Sequence, residues 1–262
     1  MSQALAVGRT SRLIVALGLC LLLIACVSQP TKSSTGEGIG KLSAQENDSP
    51  ADLYVALASE YYRIGQMDPA LERVRRALEL DKNNARAHYI AALVLQRLGE
   101  NALAEAYFER ASALEPDSPD IHNAWGAFLC SQGRHEEADA QFADALANPL
   151  FTTPALALTN AGVCAISAGE KAKGEGYLRE ALTRAPRFAP ALYQMARLQY
   201  AQGDYKAAQG YIDRLMDVNQ LNPQTLLLAV RVEKALGNRK QAKVYTQYLR
   251  EGFPDAPEIL EL

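Results

Sequence analysis

The sequence predicts an all-α protein, a solenoid of six stacked helical hairpins behind an N-terminal signal segment and a disordered tether. Three observations carry that expectation. Glycines recur at Gly65, Gly99, Gly133, Gly169, Gly203 and Gly237, with spacings of 34, 34, 36, 34 and 34 residues. Five positions after each stands a small residue: Ala70, Ala104, Ala138, Gly174, Ala208 and Ala242. Twelve positions after each come Ala77, Ala111, Ala145, Ala181, Leu215 and Leu249. A fixed period of this length marks an array of helical units rather than one globular core.

Each unit reads as a first helix of about fourteen residues, a glycine that can take positive φ where that helix ends, and a second helix with its own apolar face. Alanine or glycine at the crossing lets the two backbones approach. Val74, Phe108, Phe142, Leu178 and Ile212 fill the space beyond. One hairpin cannot bury its apolar face alone, but stacked hairpins can. The units are 51–84, 85–118, 119–154, 155–188, 189–222 and 223–256, followed by a short tail, 257–262. Pro116, Pro186 and Pro254 fall near unit ends. The third junction, ANPLFTTPALAL, departs from the pattern, with Thr153 and Pro154 as extra residues and Leu150 in place of the proline. A change of pitch is expected there.

The array resembles tetratricopeptide repeats. That resemblance implies a right-handed superhelix whose first helices line a groove, with positions two, five, nine and twelve of each unit pointing into it. Those positions include Tyr62, Tyr89, Leu93, Val163, Ile166, Tyr193, Arg197, Tyr200, Leu227 and Arg231. Tyrosine and arginine concentrate where protein interfaces bury their energy, so the groove is the candidate surface for a protein segment.

The N-terminus carries a separate message. Arg9 and Arg12 precede an uncharged run, Leu13 to Ala25, that is shorter than the roughly 20 residues a bilayer-crossing helix needs. Residues 1–25 therefore read as a secretory signal. Leu23-Ile24-Ala25-Cys26 resembles the lipobox of bacterial lipoproteins, which implies cleavage before Cys26 and acylation of its sulfur and new amino group. Val27 and Ser28 lack the aspartate that favours inner-membrane retention, so the resemblance implies lipid anchoring in the outer membrane, facing the periplasm. Residues 26–50 then form the lipidated cysteine and a disordered tether reaching about 25 to 30 Å on average. GEGIGK within it lacks phosphate-loop spacing, because Thr35 stands where the first glycine would be.

Little here points to catalysis. The net charge is −3 and no basic block is present, so nucleic acid is not an expected partner. The run His135 to Asp139, HEEAD, lacks the second histidine of a zinc-protease motif. His88 and His122 read as first-helix residues and His135 as part of a hairpin turn. No enzyme activity, metal or cofactor is expected. Packed helices lie roughly 8 to 10 Å apart, whereas a disulfide tolerates about 7 Å between Cα atoms, so Cys130 and Cys164 are expected as two separate thiols.

NAWGAFLCSQGRHEEA, from Asn123 to Ala138, and TLLLAVRVEKALGNRKQAKVY, from Thr225 to Tyr245, resemble the corresponding stretches of the PilF/PilW family of type IV pilus biogenesis lipoproteins. With the lipobox and six units, the resemblance runs the length of the chain. It implies a pilotin, an outer-membrane lipoprotein that binds secretin subunits and promotes their localisation and multimerisation. A monomer is expected. The alternative is a general periplasmic scaffold of the same construction that recruits peptidoglycan hydrolases or proteases.

Overall fold

The computed structural model describes residues 49–218 and 221–262. The expected signal, Cys26 and most of the tether lie outside the described residues. Twelve α-helices follow one another: α1 (Pro50–Arg63), α2 (Met67–Leu80), α3 (Ala85–Leu98), α4 (Asn101–Leu114), α5 (Pro119–Ser131), α6 (His135–Ala147), α7 (Pro154–Ser167), α8 (Lys171–Arg184), α9 (Ala189–Ala201), α10 (Tyr205–Asp217), α11 (Pro223–Ala235) and α12 (Arg239–Gly252). A 3-10 turn, Pro257–Glu261, closes the chain. Among the described residues there is no strand, and no helix is long and apolar enough to cross a membrane.

Local chemistry sets the helix ends. Ser49 caps α1 reciprocally: its side chain accepts from the Asp52 amide, and Asp52 accepts from the Ser49 amide. Asn84, Asp204 and Asn222 cap α3, α10 and α11 in the same sense, each side-chain oxygen accepting from a backbone amide three residues on. At the other end, Gly99 adopts φ 80°, which turns the chain out of α3 while its amide still donates to Gln96. A side chain there would be strained, which is why glycine recurs at the equivalent turn of every hairpin, always with positive φ.

Consecutive helices pair as hairpins, α1 with α2 through α11 with α12, and each second helix also packs on the first helix of the next hairpin. First helices lie side by side: α1 on α3, α3 on α5, α5 on α7, α7 on α9 and α9 on α11. Among the described residues the helix packing is thus local in the array, and the core is a run of clusters rather than a single centre.

The small residues sit at the crossings, where Ala70, Ala104, Ala138 and Ala208 are wholly buried. Phe108, Phe142, Leu178 and Ile212 fill the gaps beside them; burying each is worth about 1.5 to 3 kcal/mol. Leu215 and Leu249 are fully buried despite their size. At the third junction, Phe151 turns inward to pack with Ala145 and Ala157, while Leu150 stays exposed. The C-terminal turn folds back on α11, with Ile259 and Leu262 against its apolar side and Glu261 paired with Arg231.

One expectation is overturned. Cys130 and Cys164 are joined by a disulfide, with their Cα atoms 5.7 Å apart. The spacing of packed helices is measured between axes, and each Cα stands about 2.3 Å off its axis, so facing Cα atoms lie several ångströms closer than the axes do. Cys130 near the end of α5 and Cys164 near the end of α7 face each other in this way.

Candidate partner-binding groove

The ten groove residues divide into two sets. Tyr62, Tyr89 and Leu93 are half-buried and pack between neighbouring first helices in the N-terminal half of the array. The Arg97 guanidinium lies over the Tyr62 ring, 5.5 Å from its centroid. Burial pushes the Tyr89 hydroxyl up to about 12, with the Asp120 carboxylate adding to the effect. These residues serve the stacking of α1, α3 and α5 at least as much as they offer a surface.

The second set comes together around Arg197. Tyr193, Arg197, Tyr200, Leu227 and Arg231 line a cavity of about 330 Å³ between α9 and α11. Val163, Ile166 and Arg197 line an adjoining one of about 300 Å³ between α7 and α9, where the walls are mostly apolar. Arg197 and Ala201 belong to both, so the two cavities form one continuous trough.

Its charges are unequal. Arg231 is paired with Glu261 of the C-terminal turn, and Lys234 donates to the Leu262 carbonyl at 3.1 Å. Arg197 is exposed, lies 5.8 Å from the Tyr193 ring centroid and donates to Gln194 at 3.2 Å. Among the described residues no carboxylate forms an ion pair with it. Mostly apolar walls between α7 and α9, with Arg197 and Lys171 outside any ion pair among the described residues, suit a protein segment carrying apolar side chains and a carboxylate, while Glu258 and Glu261 make the α11 end more polar.

The histidines fall as the sequence implied for two of three. His122 is buried in α5 and fully engaged, with Nδ1 2.7 Å from Gln141 Oε1 and Nε2 2.7 Å from the Pro116 carbonyl. His88 in α3 stands 3.0 Å from the Lys82 carbonyl and packs on the Tyr107 ring. His135 is the first residue of α6 and faces the disulfide. The grouping of Cys130, His135 and Cys164 was missed by sequence reasoning. The signal in the sequence was indirect: the cysteines are positions twelve and ten of consecutive units, near the ends of neighbouring first helices, and the two extra residues of the third junction put them out of register with the repeat.

Comparison with known proteins gives this architecture a family. The chain is 32% identical to the protein in the crystal structure of PilW, a widely conserved type IV pilus biogenesis factor, with a TM-score of 0.73 over 82% of this chain and 98% of that one. The chain belongs to the PilF/PilW family. It is 29% identical to the type IV pilus assembly protein PilF of Pseudomonas aeruginosa over 82% of this chain and 85% of that protein. The structure of Pseudomonas aeruginosa PilF superposes with a TM-score of 0.69 at 28% identity, covering 80% and 95% of the two chains. An uncharacterised protein of Haemophilus influenzae is 35% identical over 55% of this chain and 74% of its own length. Two family models match parts of the array: tetratricopeptide repeat protein 21 second ARM domain over residues 169–235, and anaphase-promoting complex, cyclosome, subunit 3 over residues 39–111. PilF/PilW membership thus makes this chain a homologue of type IV pilus biogenesis factors, built as a tetratricopeptide-repeat solenoid.

Proposed function

We propose that the chain is a pilotin: an outer-membrane lipoprotein, acylated at Cys26, that binds secretin subunits of the type IV pilus and promotes their localisation and multimerisation. It works by binding and turns over no substrate. The observation that carries the reading is the likeness to PilW along nearly the whole of that protein. The trough around Arg197, flanked by Tyr193 and Tyr200, supports a role in gripping a protein segment.

Two parts divide the work. Acyl chains on Cys26, each methylene worth about 0.8 kcal/mol when buried in lipid, hold the protein at the periplasmic face of the outer membrane. The tether lets the repeats sample a thin layer beside that surface, which raises their effective concentration towards a secretin assembling there. A strain carrying Cys26→Ser in place of the natural gene tests the anchor and the function together. The expected result is loss of palmitate labelling and fewer secretin multimers in the outer membrane. Multimers unchanged in amount and place would refute the pilotin reading, and persistent labelling would refute acylation at Cys26.

A further inference from the structure

Three potential metal ligands from three helices meet at one point between the third and fourth hairpins. Cys130 comes from the end of α5, His135 from the start of α6 and Cys164 from the end of α7, and their ligand atoms all lie within 4.8 Å of one another. His135 Nδ1 stands 3.5 Å from Cys164 Sγ and 3.9 Å from Cys130 Sγ. Around a tetrahedral zinc ion, with Zn–S near 2.3 Å and Zn–N near 2.0 Å, neighbouring ligand atoms sit about 3.5 to 3.8 Å apart. Both sulfur-to-nitrogen edges of such a site are therefore already in place. Only the sulfur-to-sulfur edge is too short, because those two atoms are bonded.

We infer that Cys130, His135 and Cys164 form a redox-gated site for a thiophilic divalent ion of the zinc class, closed while the disulfide stands and open once it is reduced. The reductant is a dithiol. It transfers two electrons and two protons, so that the Cys130–Cys164 bond becomes two thiols and the reductant becomes a disulfide. On metal binding each thiol releases its proton to water, and the two thiolates and the His135 Nδ1 lone pair complete three coordination bonds. The fourth position faces a cavity of about 150 Å³ lined by His135, Glu136, Asp139 and Cys164, where a water or the Glu136 carboxylate has room to bind. Asp139 is committed elsewhere: it accepts from Lys173 Nζ and from the Tyr177 hydroxyl, both at 2.9 Å. The ion would thus replace the disulfide as the clip between α5 and α7. None of this depends on the pilotin reading.

Cobalt(II) titration of the full chain, with Cys20→Ser and Cys26→Ser removing the other thiols, tests the site. After reduction and removal of the reductant without oxygen, the expected result is the thiolate-to-cobalt absorption and visible bands of a tetrahedral ion, saturating at one equivalent and displaced by zinc. The oxidised chain should give none. Cys130→Ser and Cys164→Ser should abolish the signal, and His135→Ala should weaken binding by about tenfold or more. A reduced chain with unchanged circular dichroism and no such bands would overturn the inference, as would bands that survive His135→Ala undiminished. If reduction itself lowers helicity, recovery of helicity on adding zinc supports the site, and its failure to recover counts against it.

Discussion

Gly162 and Gly174 meet where α7 crosses α8: a Cβ placed on Gly174 would stand 2.7 Å from the Gly162 carbonyl oxygen and 2.5 Å from Ile166 Cγ1. The other hairpins have alanine at the position of Gly174. The fourth hairpin has glycine on both sides of the crossing, so its backbones come close enough to exclude even a methyl group. Gly174→Ala should therefore destabilise the array by about 1 to 3 kcal/mol through overpacking. Gly176, two residues on in α8, has nothing within 4 Å of its would-be Cβ, and Gly176→Ala should stabilise by about 0.5 to 1 kcal/mol. Urea unfolding of the two variants beside the natural protein checks the opposite signs.

The disulfide supplies a second prediction. It closes a segment between residues 34 apart that already holds one hairpin turn and the third junction. A bond spanning a loop of this size restricts the unfolded chain by about 3 to 4 kcal/mol in the chain-entropy view. Replacing both cysteines with serine should lower stability by an amount of that order while keeping helicity, as measured by denaturation of oxidised protein and variant in parallel.

Much of this fold was legible from Gly65, Gly99 and their successors, because positive φ at a fixed interval punctuates helices whatever their packing partners. The close contact of α5 and α7 was not legible. It depends on which faces of two helices one hairpin apart in sequence meet, and the extra residues of the third junction take Cys130 and Cys164 out of register with the repeat. The same holds for His135, whose position at the start of α6 aims it at sulfurs contributed by two other helices. Within the groove, the pattern located Arg197 and Tyr193 but could not separate them from Tyr62 and Tyr89, whose exposure depends on how closely adjacent first helices stack.

Alkaline pH should weaken the packing of α3 on its neighbours. Tyr89 is held up at about 12 in the folded protein, against an ordinary value of 10.0. A raised acid of this kind stabilises fully below its unfolded value. That contribution is lost as pH rises from about 10 through about 12, because the unfolded chain releases the proton more readily. Tyr89→Phe should flatten the pH dependence of the melting temperature in that window.

The C-terminal turn should count as part of the last hairpin. Ile259 and Leu262 cover apolar surface of α11, and Glu261 neutralises Arg231. Ending the chain after Ala256 should cost on the order of 1 to 3 kcal/mol, mostly from the two apolar side chains, since an exposed ion pair contributes at most about 1 kcal/mol. Truncation compared with Glu261→Gln in chemical denaturation separates the ion pair from the rest of the turn, which includes the buried Glu258 accepting from Gln224.

The proposed grip on a partner rests on the trough around Arg197. Its most direct test is a binding titration of the purified chain with the type IV pilus secretin subunit, for the natural protein and for Tyr193→Ala with Arg197→Ala. Saturable binding that weakens by about tenfold or more in the double variant, with circular dichroism unchanged, is the predicted result. Absence of binding by the natural protein, or equal binding by the folded variant, would contradict it.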